Sequence, residues 1–248
     1  MGNRISTTPQ PIIMTSSFLK EKVIHDMVKL NNLDSSELKK LVGDDNICWE
    51  LINLLELEHQ NLVNISDLWR FPWLTKLEMQ SNLIEKIEGL ETLKHLKVLD
   101  LSFNFIKHIE GLEKLFSLTH LNLTSNKISV LENLQQLHRL EMLLVRHNKI
   151  SSFSSVLHLS QLLNLYSFGI EGNLLMNEDN SHLRVLSILP QLKILDFKAV
   201  TKKNLEEAFE KFPIAIKKHN LSDFTSALNP KCESKIPILC EVKVYPEV

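Results

Sequence analysis

Residues Ile84–Leu115 read IEKIEGLETLKHLKVLDLSFNFIKHIEGLEKL, and the phrase IEKIEGLE at Ile84–Glu91 returns as IKHIEGLE at Ile106–Glu113, 22 residues later. Stepping by that interval from Asn82 lands on Asn104, Asn126 and Asn148, each closing the pattern L-x-x-L-x-L-x-x-N. One step upstream, Ile52, Leu55 and Leu57 keep the apolar frame, with Gln60 where Asn is expected. One step downstream the interval lengthens to 25 and gives Leu165-Phe168-Ile170-Asn173. Six units in one frame are self-similarity at a fixed period, the mark of a solenoid whose coils share one core.

The L-x-L centre of each unit alternates with period two, as a strand buried on one face does. After each Asn the apolar residues fall at every third position, as in Ile84, Ile87, Leu90, Leu93, Leu96 and Leu99. Steps of three drift by about 60° each around an α-helix, but they suit 3₁₀-like turns of about three residues. The units are identified as leucine-rich repeats of the short class. The expected fold is an α/β leucine-rich-repeat solenoid, with a parallel concave sheet, 3₁₀-type convex segments and helical caps. The recurrent Asn answers a polar problem. Where the chain leaves each strand, backbone groups turn inward without a ladder partner, and a side-chain amide offers both donors and an acceptor. Asn82, Asn104, Asn126, Asn148 and Asn173 are therefore read as a structural ladder.

Residues 1–50 are read as an N-terminal tail and capping helices, 51–180 as the repeats, and 181–212 as a C-terminal cap and helix. Residues 213–248 are read as an irregular tail, broken by Pro213, Pro230, Pro237 and Pro246. A solenoid must cover its terminal coils. Upstream, Asp34-Ser35-Ser36-Glu37 resembles a capping box before Leu38, Leu41 and Val42, with Gly43 to stop the helix. Phe18, Ile24, Met27 and Val28 suggest an earlier short helix. Downstream, LRVLSILPQLKILD at Leu183–Asp196 has the LP-x-L-x-x-LD ending of a C-terminal cap, and a polar helix is expected over 201–212.

Composition excludes several classes. With 44% hydrophobic and 23% charged residues the chain is ordinary globular protein, and a net charge of −2 offers no field for nucleic acid or an anionic membrane. Cys48, Cys232 and Cys240 lack paired CxxC spacing, which points to a reducing interior, cytoplasm or cytoskeleton. No apolar run nears the roughly 18 residues that span a bilayer. The segment Pro11–Met14 is too short for the core of a signal peptide. HExxH, GxSxG and GxxxxGK(S/T) are missing, and His120 and His147 find no third ligand, so no enzyme, cofactor or metal is expected. MGNRIS at Met1–Ser6 fits the myristoylation pattern M-G-x-x-x-(S/T), which makes Gly2 a candidate weak lipid anchor without stable membrane insertion.

The residues flanking each L-x-L point into the concave groove. Its N-terminal half is acidic, through Glu56, Glu58, Glu78 and Asp100. Its centre turns apolar and weakly basic, through Val98, Phe103, His120, Met142, Leu144, Arg146 and His147. An exposed apolar patch on a rigid concave face suits an extended segment or helix of a partner protein.

The 22-residue unit resembles the short-repeat class typified by the regulatory leucine-rich subunit of protein phosphatase 1. Closer features lie in the Leu68-Trp69 pair, NLIEKIEGLE at Asn82–Glu91, LDLSFNFI at Leu99–Ile106 and the 25-residue interval before Asn173. These resemble the leucine-rich-repeat subunit, subunit 3, of the nexin–dynein regulatory complex of motile cilia and flagella, over residues 46–203. That resemblance implies a non-enzymatic protein-binding scaffold of the axoneme, part of the cytoskeleton, with dynein-regulatory or other axonemal subunits as partners. The wider class implies a regulatory subunit on a protein phosphatase or another cytosolic enzyme. Members of the dynein-regulatory group continue into a long coiled coil. No heptads follow Phe212 here, so the expectation is a docking solenoid alone, in a truncated form or a paralogue.

Overall fold

The computed structural model describes residues 10–31 and 49–213. The expected capping box at Asp34-Ser35-Ser36-Glu37, Gly2 and the three cysteines lie outside the described residues.

One eight-stranded sheet runs in chain order. It comprises β1 (Leu54–Glu56), β2 (Lys76–Glu78), β3 (Val98–Asp100), β4 (His120–Asn122), β5 (Met142–Leu144), β6 (Ser167–Gly169), β7 (Ile194–Leu195) and β8 (Lys198–Ala199). The first seven are parallel and β8 returns antiparallel along β7. The register sets Leu55, Leu77, Leu99, Leu121, Leu143 and Phe168 opposite one another, all buried, so the centre of every L-x-L enters one continuous core. Alternation along a strand then turns its flanking residues to the other face.

The convex return takes the expected 3₁₀-type bonding in a specific form. In the middle repeats it is a chain of separate turns: Leu93 N–H donates to Leu90 O at 3.0 Å and Leu96 N–H to Leu93 O at 3.1 Å, with the same pair at Leu115 and Leu118 and at Leu137 and Leu140. Each turn buries one leucine and then restarts. Its bonds of the three-residue type are never consecutive, so no helix propagates. True 3₁₀ helices occur at Trp49–Leu51, Leu68–Arg70, His158–Gln161 and Leu174–Asn177.

Helices close the ends. At the N-terminal end, Ile12 bridges in parallel to Leu62, donating its N–H to Asn61 O and accepting from Val63 N–H. That segment leads into α1 (Ser16–Asn31), longer than the short helix expected, and Met14, Leu19 and Val23 are buried there. In the 25-residue unit the extra length winds α2 (Phe153–Leu157), started by Ser152 Oγ accepting from Ser154 N–H. At the C-terminal end α3 (Ser181–Ile188) buries Val185, Leu186 and Ile188 and packs on α4 (Lys202–Lys211). Thr201 and Asn204 form a reciprocal capping box that starts α4.

Candidate protein-binding face

The Asn side chains hold the groove's far wall in place. Asn104 Oδ1 accepts from Ile84 N–H at 3.0 Å, while its Nδ2 donates to Met79 O at 3.0 Å and Leu101 O at 3.1 Å. Asn126 and Asn148 repeat this one and two coils later, through Ile106 and Ile128 N–H and through Leu101, Leu123 and Val145 O. Asn82 Oδ1 takes the N–H groups of Gln60 and Leu62, and Asn173 Oδ1 that of Ile150. Each amide thus stitches its own coil to the one before it, with donors and acceptor all used.

Just before each Asn the backbone turns sharply. Ser81, Phe103, Ser125 and His147, with His59 before Gln60 in the first coil, sit at φ between 53° and 57°, and Gly172 before Asn173 at 75°, all in the left-handed region. A non-glycine residue there costs roughly 1–2 kcal/mol, which is offset because each N–H is drawn into the next coil. Ser81 donates to Ser102 O, Phe103 to Thr124 O, Ser125 to Arg146 O and His147 to Glu171 O. The residue types mark this row only at its last member, Gly172, which precedes Asn173 at φ 75°; Ser, Phe and His elsewhere in the row give no sign of it.

Strand register brings three of the expected site residues together. Val98, His120 and Met142 are direct cross-strand partners in one row, and Leu144 lies in the next row between Asn122 and Gly169. Phe103 and His147 do not join them. They stand on the left-handed rim, two coils apart with Ser125 between them, and Phe103 is 47% exposed.

Two expectations about this face are corrected. Met142 and Leu144 are half-buried rather than open. Arg146 is not a free cation either: its guanidinium pairs with Glu171 in the next coil and lies 4.7 Å from the ring centre of Phe197. The acidic half is also less available than its charges suggest. Asp100 accepts from Ser102 N–H at 2.8 Å, Ser102 Oγ at 2.6 Å and Asn122 Nδ2 at 2.9 Å. Burial pushes the Asp100 carboxyl above the usual carboxylate range, against the pull of the Ser102 and Asn122 hydrogen bonds, and the charge of Glu78 adds to the rise. Glu78 pairs with Lys76 at 2.8 Å and Glu58 accepts from Gln80 Nε2 at 2.6 Å. Glu56 alone of the four is exposed with no such partner among the described residues.

His120 is the titratable group inside the apolar row. Thr119 Oγ1 lies 2.8 Å from its Nδ1. Burial pushes the imidazole below its ordinary range, opposed by the charge of Glu141. The glycines of FGIEGN, read only as repeat residues, make room for the patch. A Cβ on Gly169 would lie 2.8 Å from Leu144 Cδ2, and one on Gly172 would lie 2.3 Å from His147 Nδ1. Their signal in the sequence was the loss of side chains at positions where every earlier coil carries one. Among the described residues no cluster of three or more His, Cys, Asp or Glu has the placement to hold a metal, and no helix is long and apolar enough to cross a membrane.

A leucine-rich repeat family model matches residues 75–221, more than half of the chain. The chain belongs to the leucine-rich repeat family. Comparison with curated proteins gives no match. Among solved structures, an internalin (inlF) from Listeria monocytogenes is 24% identical with a TM-score of 0.48, covering 56% of this chain; this chain spans 39% of the internalin. The SNF/U2A′ complex of Drosophila melanogaster is similar at 20% identity and a TM-score of 0.45, over 66% of this chain and 84% of that one. An internalin C2 from Listeria monocytogenes follows at 22% identity and a TM-score of 0.39, over 63% of this chain and 88% of that one. Proteins of this repeat family are generally scaffolds that bind other proteins.

Proposed function

We propose that the row Val98, His120 and Met142, with Leu144 beside it, receives a segment of a partner protein. In this reading the chain is a non-catalytic scaffold of the motile cilium or flagellum axoneme, docking on dynein-regulatory or neighbouring subunits. One observation carries the binding reading. The apolar row lies on a rigid parallel sheet where the adjoining polar groups, Asp100 and Arg146 above all, already hold partners. Covering such a row removes apolar surface from water while Arg146 keeps its ion pair and Asp100 its hydrogen bonds. The ciliary part rests on the resemblance in Asp67–Leu112.

The test is retention in ciliated cells. The wild-type chain is expected to stay with axonemes washed in detergent and salt and to label axonemal proteins in a proximity experiment. The double substitution Met142→Asp and Leu144→Asp is expected to release it. Retention of the double variant would move the site off the concave row. A wild-type chain found instead in the soluble fraction with a phosphatase catalytic subunit would replace the axonemal reading by a regulatory one.

A further inference from the structure

The residues three or four positions before each strand stand on one edge of the sheet, coil over coil. Trp73, before β2, stacks on His95, before β3, with ring centres 4.5 Å apart and planes 21° from parallel. Phe116 precedes β4, Arg139 precedes β5 and Leu163 precedes β6. Trp73 is 53% exposed, Phe116 57% and Leu163 75%. Single exposed apolar residues are ordinary on a protein surface; what sets these three apart is their recurrence at every second coil along one edge.

Cations fill the gaps. Lys94 and His95 are exposed at the β3 step and Arg139 at the β5 step. Neither Lys94 nor Arg139 has an ion-pair partner among the described residues. The acid next along, Glu141, is half-buried, and its charge acts on His120 and Tyr166. Glu91 and Glu113 stand further round the turn, beyond the buried Leu93 and Leu115. Two adjacent columns make up the edge, Trp73 and Arg139 standing three residues before their strands and Lys94, Phe116 and Leu163 four before theirs; taken together they offer apolar groups at β2, β4 and β6 and cations at β3 and β5.

That alternation has a length. Adjacent strands lie about 4.8 Å apart, so the apolar steps recur roughly every 9.6 Å with a cation midway. An α-helix climbs about 10.5 Å in seven residues and about 5.4 Å in one turn. The two rulers differ by roughly 1 Å per apolar step, which long side chains absorb over a span this short. An extended strand, at about 3.3 Å per residue, would need its anchors three residues apart and would turn successive ones to opposite faces.

We infer that this edge docks an acidic amphipathic helix of a partner protein, lying along the solenoid axis. Its apolar residues at i, i+7 and i+14 cover Trp73, Phe116 and Leu163, and its acidic residues one turn on from each of the first two face Lys94 and Arg139. The surface is separate from the concave row, and the inference stands whether or not that row binds.

The probe is a fluorescently labelled peptide of about three heptads, with leucine at every seventh position and glutamates midway between. Titration with the full 248-residue chain is expected to give a saturable rise in anisotropy. Phe116→Ser with Leu163→Ser, or Lys94→Glu with Arg139→Glu, should weaken binding at least about tenfold, with circular dichroism unchanged. Met142→Asp with Leu144→Asp should leave it as it was. A peptide of the same composition with leucine at every fifth position should bind about tenfold less tightly. No saturable binding, equal binding of the respaced peptide, or indifference to the edge substitutions overturns the inference. So does sedimentation showing a dimer of the chain that Phe116→Ser with Leu163→Ser dissolves, which would give the edge to a second copy.

Discussion

The middle repeats and the end of the sheet meet different demands with different side chains. From Asn82 to Asn148 each coil has a successor, and one amide per coil serves an amide N–H upstream and two carbonyls beside it. After β6 the parallel series stops. Asn173 keeps the same partners, and what is left over is the N–H of Ile170, whose counterparts Leu123 and Val145 donate to the next strand's carbonyls of Leu144 and Gly169. Asp196 stands there, its Oδ1 accepting from Ile170 N–H at 2.7 Å and from Glu171 N–H at 2.9 Å. Asp196 and Phe197, at φ 47° and 61°, then turn the chain back into β8. Two successive left-handed residues make the tight turn that joins antiparallel strands. A donor–acceptor group recurs where neighbours offer both kinds of partner, and an acceptor-only group appears where they offer one.

The largest expected effects probe the shared interior and its stitching. Leu99→Ala, in a fully buried position, should cost about 2–5 kcal/mol. Asn104→Ala should cost about 1–3 kcal/mol, because a buried amide and two carbonyls lose their partner. Asp196→Ala strands two amides at an end and should fall at the lower side of that range. Chemical denaturation ranks the three. A loss at Asp196 exceeding that at Leu99 would mean that the end, not the repeating interior, governs stability.

Gly172→Ala sharpens the comparison at the last coil. Its φ of 75° disfavours any side chain, and the new Cβ would meet His147 Nδ1 at 2.3 Å. A destabilisation of about 1–2 kcal/mol is expected, and adding His147→Ser should recover the steric part but not the backbone part. Full recovery would show that backbone conformation contributes nothing there. The smallest effect is a pH dependence in the middle. Because burial lowers the His120 pKa in the folded state, the unfolded chain takes up a proton first on acidification. Stability contributed by neutral His120 is therefore present above the ordinary histidine range and lost as pH falls through it. His120→Gln should flatten the difference between urea midpoints at neutral and mildly acid pH, and an unchanged slope would remove His120 as its source.

Much of the fold was legible because its determinants are local and periodic. The interval between Asn residues set the strand register residue for residue, since each coil must present its L-x-L at the same height to share a core. The candidate face was less legible. Its membership in rows follows from alternation, but the engagement of Arg146 by Glu171 and Phe197 depends on residues 25 and 51 positions away, brought near by stacking and by the turn at Asp196. The internal bonding of Asp100 crosses strands in the same way. The left-handed rim was hidden for another reason: the conformation is imposed by hydrogen bonds to the next coil, so serine, histidine and phenylalanine take it alike.

Read alone, the sequence determined the period, the buried face of every strand and the Asn positions, because these repeat and each copy corroborates the others. Tertiary structure alone decided which groove charges are already spent, where glycine clears space for Leu144 and His147, and how the sheet ends at Asp196. Those outcomes turn on single contacts between distant residues, and a pattern that recurs along a chain carries no record of contacts that occur once.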